Sequence, residues 1–217
     1  MISLLFFLPL FAASQVDYYT LSAEEALKFV SFHKPIDVKN PDLEVLEACV
    51  FHVTNIERQK RKMTLFAWHQ ELMESAEFHA NCMSESMTFS HYNRKEARFR
   101  QSHQRIHHFS PNRYSATGEN IAQTFLLNYD SGKDYVCRKE DGALVFLYWN
   151  TTSEIRPHSY WSFAEEVVEG WMKSKGHRDN ILYSGFDELG IGIQLVPERD
   201  WDDIPTVNVV QNFGGKK

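Results

Sequence analysis

The stretch EEVVEGWMKSKGHRDNIL, residues 165–182, joins a pattern typical of an amphipathic helix to a short polar segment that carries Gly176 and His177. The apolar side chains at helical spacing are Phe163, Val167, Val168 and Trp171. Ser162, with Glu165 three positions later, predicts a capping box at the helix start. Gly176 is typical of the residue just after a helix end. His177 is therefore expected beyond the helix, where it either packs a turn or forms one wall of a chemical site.

The size and composition of the chain fit one sizeable domain. It has 217 residues, of which 43% are hydrophobic and 14% aromatic, which is enough for a packed core. Its formal charge of -6 argues against general nucleic-acid binding, because a surface that follows phosphates needs an excess of Lys and Arg.

The N-terminal residues indicate export. Residues 1–14 form a short apolar run that ends in small residues, with Ala12 and Ser14 suited to a signal peptidase site. The mature chain would then begin at Gln15 and carry no stable membrane span. No Lys or Arg precedes the apolar run, so an uncleaved anchor stays open as the alternative. The expected location is secreted, periplasmic or extracellular.

The cysteine count excludes a disulfide-stapled scaffold. There are three cysteines, Cys49, Cys82 and Cys137, so they cannot all pair within one chain. Cys49 and Cys82 both lie in predicted helices. They could form a bridge there, or they could be small buried hydrophobic residues.

The first half of the chain after the signal peptide is predicted to be helical. Residues 15–39 have mixed polarity and no sustained period, so we interpret them as an N-terminal extension. The Asn40-Pro41 pair is expected to provide the N-cap and first residue of a helix that ends in the basic run at 58–62. A second helix is expected over 67–87, where Trp68 and several Leu, Ala and Met residues share one face.

The second half is predicted to contain strands. Residues 128–161 hold two β-prone runs around Asp141 and Gly142, which indicates a hairpin-like insertion. Two more strands are expected at 189–196 and 206–213. Helices beside strands that come late in the sequence favour an α+β fold rather than repeated βαβ units.

A segment between Tyr92 and Thr117 is locally basic in this acidic protein. It contains Glu96 as its only acid. Its six Lys and Arg residues are Arg94, Lys95, Arg98, Arg100, Arg105 and Arg113. It is either a solvated loop or short helix, or a docking site for an anionic partner.

Three polar residues lie where loops are expected to converge: His91 in FSH, Glu119 in GENIA and His177 in GHRDNIL. Two imidazoles and a carboxylate can bind a divalent metal such as zinc. The same groups can form a general acid–base pair. Their spacing matches no local ligand motif and supports neither alternative strongly.

The ordered motifs of the chain resemble the CAP superfamily. That group includes cysteine-rich secretory proteins, antigen 5, plant pathogenesis-related proteins of group 1 and bacterial SCP-domain proteins. The GHRDNIL motif of this cysteine-poor chain is most similar to the bacterial branch. The motifs are, in order, LFAWHQELMESAEFHANCM, FSHYN, GENIA, EEVVEGWMKSKGHRDNIL, LGIGIQ and VVQNFG. The resemblance runs from about residue 44 to 214 and implies a CAP domain over 40–217, folded as a three-layer α-β-α sandwich with a central cleft.

The resemblance also implies a cleft tetrad of two histidines and two acids, whose histidines bind zinc in some members. His91 and His177 match the histidines, and Glu119 matches the acid of the GEN motif. The position of the second acid is occupied by Ser174, so the tetrad is incomplete. Zn²⁺ or another divalent metal is therefore a candidate cofactor at His91 and His177.

The neighbours of these residues are expected to be structural. Asn120 either orients Glu119 or forms hydrogen bonds with backbone groups in its turn, and the second role is favoured. Asn180 and Arg178 are expected to tie the segment after His177 to the cleft floor. His79 is expected to be a packed helix residue rather than a ligand.

Two functions remain open for such a cleft. The first is a secreted, non-enzymatic module that binds a lipid, a glycan or a protein. The second is a metal- or histidine-dependent hydrolase, a protease or esterase, in which His91, Glu119 and His177 are the candidate catalytic residues. Ser174 is a poor nucleophile candidate, because no strained G-x-S-x-G turn surrounds it. The binding module is the favoured interpretation.

Overall fold

The computed structural model describes residues 17–217. The helices within this part are α1 (Ala23–Lys28), α2 (Leu43–Gln59), α3 (Gln70–Ser86), α4 (Ser102–Phe109), α5 (Tyr160–Lys173) and α6 (Lys175–Ile181). The strands are β1 (Ala67–Trp68), β2 (Tyr114–Phe125), β3 (Tyr135–Glu140), β4 (Ala143–Tyr148), β5 (Glu188–Leu195) and β6 (Thr206–Lys216). The predicted signal peptide, residues 1–14, lies outside the described residues.

A four-stranded sheet forms the middle layer, in the order β1-β5-β6-β2. β1 runs parallel to β5, and the other two pairings are antiparallel. Side chains alternate between its faces: Ile191 and Val209 join a core with α2 and α5, whereas Val210 packs against α3. Different helices thus cover the two faces, and the α+β three-layer sandwich predicted from the sequence is confirmed.

Helix α3 lies directly on β5 because two positions of that strand have no side chain. A Cβ added to Gly190 would lie 2.1 Å from the backbone nitrogen of Met73, and one added to Gly192 would lie 2.1 Å from that of Glu77. Only glycine permits this approach of helix backbone to strand. The contact fixes α3, which carries His79, against the sheet.

The first two long helices begin later than predicted. The N-cap of α2 is Asp42, whose Oδ1 accepts a hydrogen bond from the Val45 N–H (3.2 Å), so the Asn40-Pro41 start is wrong. Helix α3 begins at Gln70, not at 67, because the two residues of β1 pair with β5 instead. In both cases long-range packing decides between neighbouring residues that are each locally acceptable.

Helix α5 begins earlier than predicted and ends differently. Its N-cap is Ser159, which exchanges hydrogen bonds with Ser162 one turn later, so the cap predicted at Ser162 is wrong. Ser174 is extended (φ -85°, ψ 124°) and separates α5 from α6. Gly176 lies inside α6 and does not end a helix. His177 is therefore held in a short helix rather than in a loop.

Strand β2 is absent from the sequence prediction. It runs for 12 residues and pairs with β6 along most of its length. Glu119 is therefore an interior residue of a strand, not a residue at an element boundary.

The hairpin predicted within 128–161 is present as β3 and β4. Asp141 (φ 48°) and Gly142 (φ 82°) form its two-residue turn, as the positive φ angles of such turns require. Leu127 and Phe146 bury the hairpin against a small core of its own.

The segment before α2 is packed rather than loosely appended. Ala26 and Phe32 are fully buried, and Phe32 packs against Trp161 of α5. Residues 17–39, predicted as an extension, thus add short helical turns to the core.

The three cysteines are free, so the bridge between Cys49 and Cys82 that the sequence left open is not formed. Cys49 is instead a buried hydrophobic residue of α2. In the part from residue 17 to residue 217, no helix has the length and apolar character needed to cross a bilayer.

Candidate functional site

Glu119 lies within β2, an edge strand, directly opposite Asn212 of β6. Its side chain is 2% exposed. The preceding Gly118 lets Phe186 approach the strand, since a Cβ there would lie 2.9 Å from the Phe186 ring. The GEN motif thus places a carboxylate in the layer between the sheet and helices α3 and α4.

A buried arginine binds this carboxylate. Arg105 of α4 is fully buried, and its Nη2 lies 2.6 Å from Glu119 Oε2. The same guanidinium donates to the carbonyls of Phe99 (2.9 Å), Arg100 (3.2 Å) and His91 (3.2 Å). Arg105 therefore holds the carboxylate and the loop of His91 together.

His91 donates from Nδ1 to the other carboxylate oxygen, Glu119 Oε1, at 3.0 Å. A carboxylate only accepts hydrogen bonds, so Nδ1 carries a proton, and Nε2 is the nitrogen left to meet a ligand. The His91 side chain is 48% exposed. Burial alone would raise the pKa of Glu119, but the hydrogen bond from His91 and the charge of Arg105 hold that pKa below its usual value. Glu119 is thus an anion whose two oxygens both have partners.

His79 of α3 lies beside this pair, with Nε2 3.9 Å from Glu119 Oε1. His79 Nε2 also donates a hydrogen bond to the carbonyl oxygen of Ser90 (2.9 Å). Burial lowers the pKa of His79 to about 4, so the ring is neutral at pH 7. His79 is packed, as predicted, and it also supports the loop that carries His91.

The His177 ring lies near the His91 ring, with 6.5 Å between the ring centroids. The Asn120 amide donates to the His177 carbonyl (3.2 Å), and the Asn180 amide donates to the Glu119 carbonyl (3.2 Å). Burial, and then the nearby His91, lower the pKa of His177. The structure therefore brings the three predicted site residues together, and Asn180 ties α6 to β2.

Two other predicted residues lie elsewhere. Arg178 donates to the carbonyl of Met172 in α5 (2.9 Å), so it fastens two helices rather than the cleft floor. Ser174 is an exposed cap residue, whose backbone N–H donates to the carbonyls of Gly170 and Trp171. It supplies no second acid and has no strained nucleophile geometry.

The basic segment is largely neutralised by acids. Four of its six cationic side chains form ion pairs, which are Lys95–Glu85, Arg98–Glu96, Arg105–Glu119 and Arg113–Glu188. Sequence reasoning grouped Arg105 with the solvated charges and missed its role in the site. The only local signal is the adjacent Ile106, which is also buried.

The donor set has two imidazoles available for a metal ion. Among residues 17–217, no three His, Cys, Asp or Glu side chains are grouped so that they could hold one. The Glu119 carboxylate accepts a hydrogen bond from His91 Nδ1 and so orients the ring, as outer carboxylates do in zinc sites. The positive charge of Arg105, however, offsets the negative charge of this carboxylate. These residues fit a two-histidine site completed by water, and not a site closed by three or four protein ligands.

Comparison with known proteins agrees with this fold. A family model described as "CAP: Cysteine-rich secretory protein family" matches residues 51–213. An extracellular protein of Bacillus anthracis that contains an SCP domain is similar in structure, with a TM-score of 0.51, 23% identity, and 79% of this chain and 40% of that chain covered. An outer surface protein of Borrelia burgdorferi has a TM-score of 0.50 and 18% identity, over 85% of this chain and 99% of that one.

A curated relative from Bacillus subtilis, called the uncharacterized membrane protein YlbC, is 25% identical over 147 residues. These residues are 68% of this chain and 31% of the relative. The chain therefore spans about a third of that protein's length.

Proposed function

This chain belongs to the CAP family of cysteine-rich secretory proteins, and we propose that it is an exported binding module whose cleft between His91 and His177 holds a ligand without chemical turnover. Export is supported by the apolar residues 1–14 and by the extracellular and outer-surface relatives.

The state of Glu119 is the observation that carries the proposal. Both of its oxygens have partners, at 2.6 Å from Arg105 and 3.0 Å from His91, and its side chain is 2% exposed. A general base needs a free lone pair within reach of a substrate proton. Each Glu119 oxygen already accepts a hydrogen bond and the side chain is 2% exposed, so a substrate proton cannot reach it and the carboxylate acts as an anchor for the two side chains.

The ligand is expected to bring hydroxyl or other neutral polar groups to the imidazoles. Glu119 accepts the Nδ1 proton of His91 in a hydrogen bond, so Nε2 is the atom that meets a ligand, and burial, followed by the nearby His91, lowers the pKa of His177 and so favours its neutral ring. Phe89 and Tyr92 flank His91 in the chain and are exposed. Apolar surface beside neutral polar groups suits a lipid or a glycan, and a hydroxyl-bearing lipid best.

One observation favours hydrolysis as the second candidate. A carboxylate bonded to Nδ1 leaves Nε2 of His91 facing outward as a possible base, which is how carboxylates orient catalytic histidines. This reaction would also require an activated water or hydroxyl, and Ser174 is not placed to supply one.

Mass spectrometry of ligands that co-purify with the exported protein tests the binding function. We expect a lipid or glycan with the wild type and none with the His91→Ala, His177→Ala double variant. The matched control is the His103→Ala, His107→Ala double variant, whose histidines are exposed on α4. Equal ligand content in all three proteins would contradict the proposal.

Peptide and ester libraries distinguish the second candidate. Under the binding proposal, turnover with or without added zinc stays at the buffer rate. Turnover that disappears in His91→Ala and persists in the His103→Ala, His107→Ala control would establish the hydrolase instead.

A further inference from the structure

A second concave site lies at the opposite edge of the sheet from Glu119. It is a groove of about 1110 Å³ between the N-terminal end of α2, β1, α3 and the end of β5. Glu119 lies on β2, at the other end of the strand order β1-β5-β6-β2. The groove is therefore separate from the histidine cleft.

Aromatic rings form one wall of the groove. Tyr19 and Trp68 stack with their centroids 4.5 Å apart and their planes at 17°. Phe78 and Phe109 pack against each other at 5.8 Å and also line the groove. Tyr19 Oη and Trp68 Nε1 are buried and have no hydrogen-bond partner among residues 17–217. The wall thus offers π surface to a ligand.

Carboxylates supply all the charge of the groove. Its lining residues include five acids and no Lys, Arg or His. The acids are Asp17, Glu44, Glu47, Glu74 and Glu77. This sign of charge favours a cation.

Glu47 is the most unusual of these acids. It is 4% exposed, and its Oε1 accepts a hydrogen bond from the Ile193 N–H at the open edge of β5 (2.9 Å). Its Oε2 has no hydrogen-bond partner in the part of the chain that the structure describes. Burial, and then the charge of Glu77, raise the pKa of Glu47 to about 8, so at pH 7 most of this group is protonated in the empty groove, and a bound cation would favour its ionised form. A carboxyl group that is 4% exposed and has one oxygen without a hydrogen-bond partner, lining a groove, is a position that a cationic ligand would satisfy.

We propose that this groove binds an amphiphilic organic cation, a molecule with an ammonium group joined to an apolar body. The ammonium group lies between Glu47 and Glu77, and the apolar body lies against Tyr19 and Trp68. Aromatic faces attract ammonium groups, and a buried charge-assisted pair strengthens that attraction. A metal ion does not fit this groove, because the described carboxylates of the groove are not grouped to coordinate one and the aromatic wall offers no ligands.

Calorimetric titration with octyltrimethylammonium chloride tests this site, with sodium octanoate as the probe of the same chain length and opposite charge. We expect saturable binding of the cation above pH 8, where Glu47 is ionised, and none of octanoate. The Glu47→Gln variant keeps an acceptor for the Ile193 N–H but loses the charge, so its affinity should fall at least tenfold. The matched control is Glu169→Gln, because Glu169 is exposed on α5 and pairs with Lys173 on the surface.

Three outcomes would overturn the proposal. One is octanoate binding as tight as that of the cation, and another is an unchanged affinity in Glu47→Gln. The third is a dimer of the wild type that Glu47→Gln abolishes, because the groove would then be an interface between two copies. Near-ultraviolet circular dichroism of each variant confirms that it is folded. The His91→Ala, His177→Ala variant should bind the cation as the wild type does, which separates this site from the proposed function of the cleft.

Discussion

Replacing Arg105 with methionine tests whether the buried ion pair organises the cleft. Methionine keeps an unbranched chain of similar length but removes the charge and every donor. Glu119 Oε2 then loses its partner at 2.6 Å, and the carbonyls of Phe99, Arg100 and His91 lose theirs. The variant therefore leaves one buried charge and three backbone carbonyls, of which that of Phe99 is buried, without their present partner.

The expected loss of stability is large. Removing one partner of a buried ion pair costs roughly 3–5 kcal/mol. In a chain of this size that corresponds to a decrease in Tm of roughly 6–20 °C. In the wild type, the lowered pKa of Glu119 contributes stability above the unfolded pKa, which is lost as the pH falls. Without Arg105, burial raises the pKa of Glu119, so the deficit of the variant should be smaller at pH 4 than at pH 7.

Urea unfolding followed by circular dichroism measures these effects. The Arg105→Met, Glu119→Gln double variant should be less destabilised than the sum of the two single variants, because it leaves no unpaired charge. The control is Arg98→Met, which breaks an exposed pair with Glu96 and should cost about 0–1 kcal/mol. If the loss of unfolding free energy caused by Arg105→Met at pH 7 is within about 1 kcal/mol of the loss caused by Arg98→Met, the role assigned to the buried pair is wrong.

Three further predictions test other parts of the structure. Because the pKa of Glu47 is raised to about 8 in the folded protein, the free energy of unfolding of the wild type should fall as the pH rises, by up to about 1.4 kcal/mol per pH unit between the unfolded pKa and about 8. Glu47→Gln should remove this dependence, which urea unfolding from pH 5 to 9 measures. A wild-type profile without this slope contradicts the raised pKa. Gly192→Ala pushes α3 off the sheet and should cost at least about 1–3 kcal/mol, whereas Gly176→Ala, with open space around the added Cβ, should be neutral or stabilising in thermal unfolding. In zinc calorimetry, the His91→Ala, His177→Ala variant should bind at least tenfold more weakly than the wild type, and equal affinities would exclude the pair as ligands.

The elements that the sequence predicted best are those decided by local geometry. The Asp141-Gly142 turn needs two positive φ angles, which these residue types supply, and the hairpin is present as predicted. Strand β2 was missed because it is defined by pairing with β6, about ninety residues later. Its polar residues Glu119 and Asn120 hide the apolar alternation expected of a strand, since they are buried only through partners elsewhere in the fold. The starts of α2 and α3 also differ from the predicted ones by a few residues, because contacts with distant parts of the chain form there.

The site was predicted from the order of the motifs and not from residue spacing. The gaps between His91, Glu119 and His177 carry no information on distance, whereas the resemblance to a known family supplied the convergence. Arg105 could not be found in this way. Its burial depends on Glu119 and on the carbonyl of His91, and in the sequence it is one of several arginines in a basic run.

The presence of Arg105 changes what the cleft can recognise. A lone carboxylate between two histidines would leave the cleft negative and favour a dication, but the charge of Arg105 cancels that of Glu119, and the low pKa of His177 keeps that imidazole uncharged at pH 7. Neutral imidazoles exchange hydrogen bonds with hydroxyl groups and offer no counter-charge to an organic ion. At the opposite edge of the sheet, Glu47 and Glu77 have no such counter-charge among the groove residues. The proposed histidine site and the proposed groove therefore differ in electrostatic character, and a cationic organic ligand should bind in the groove whereas a neutral hydroxyl-bearing ligand should bind between the histidines.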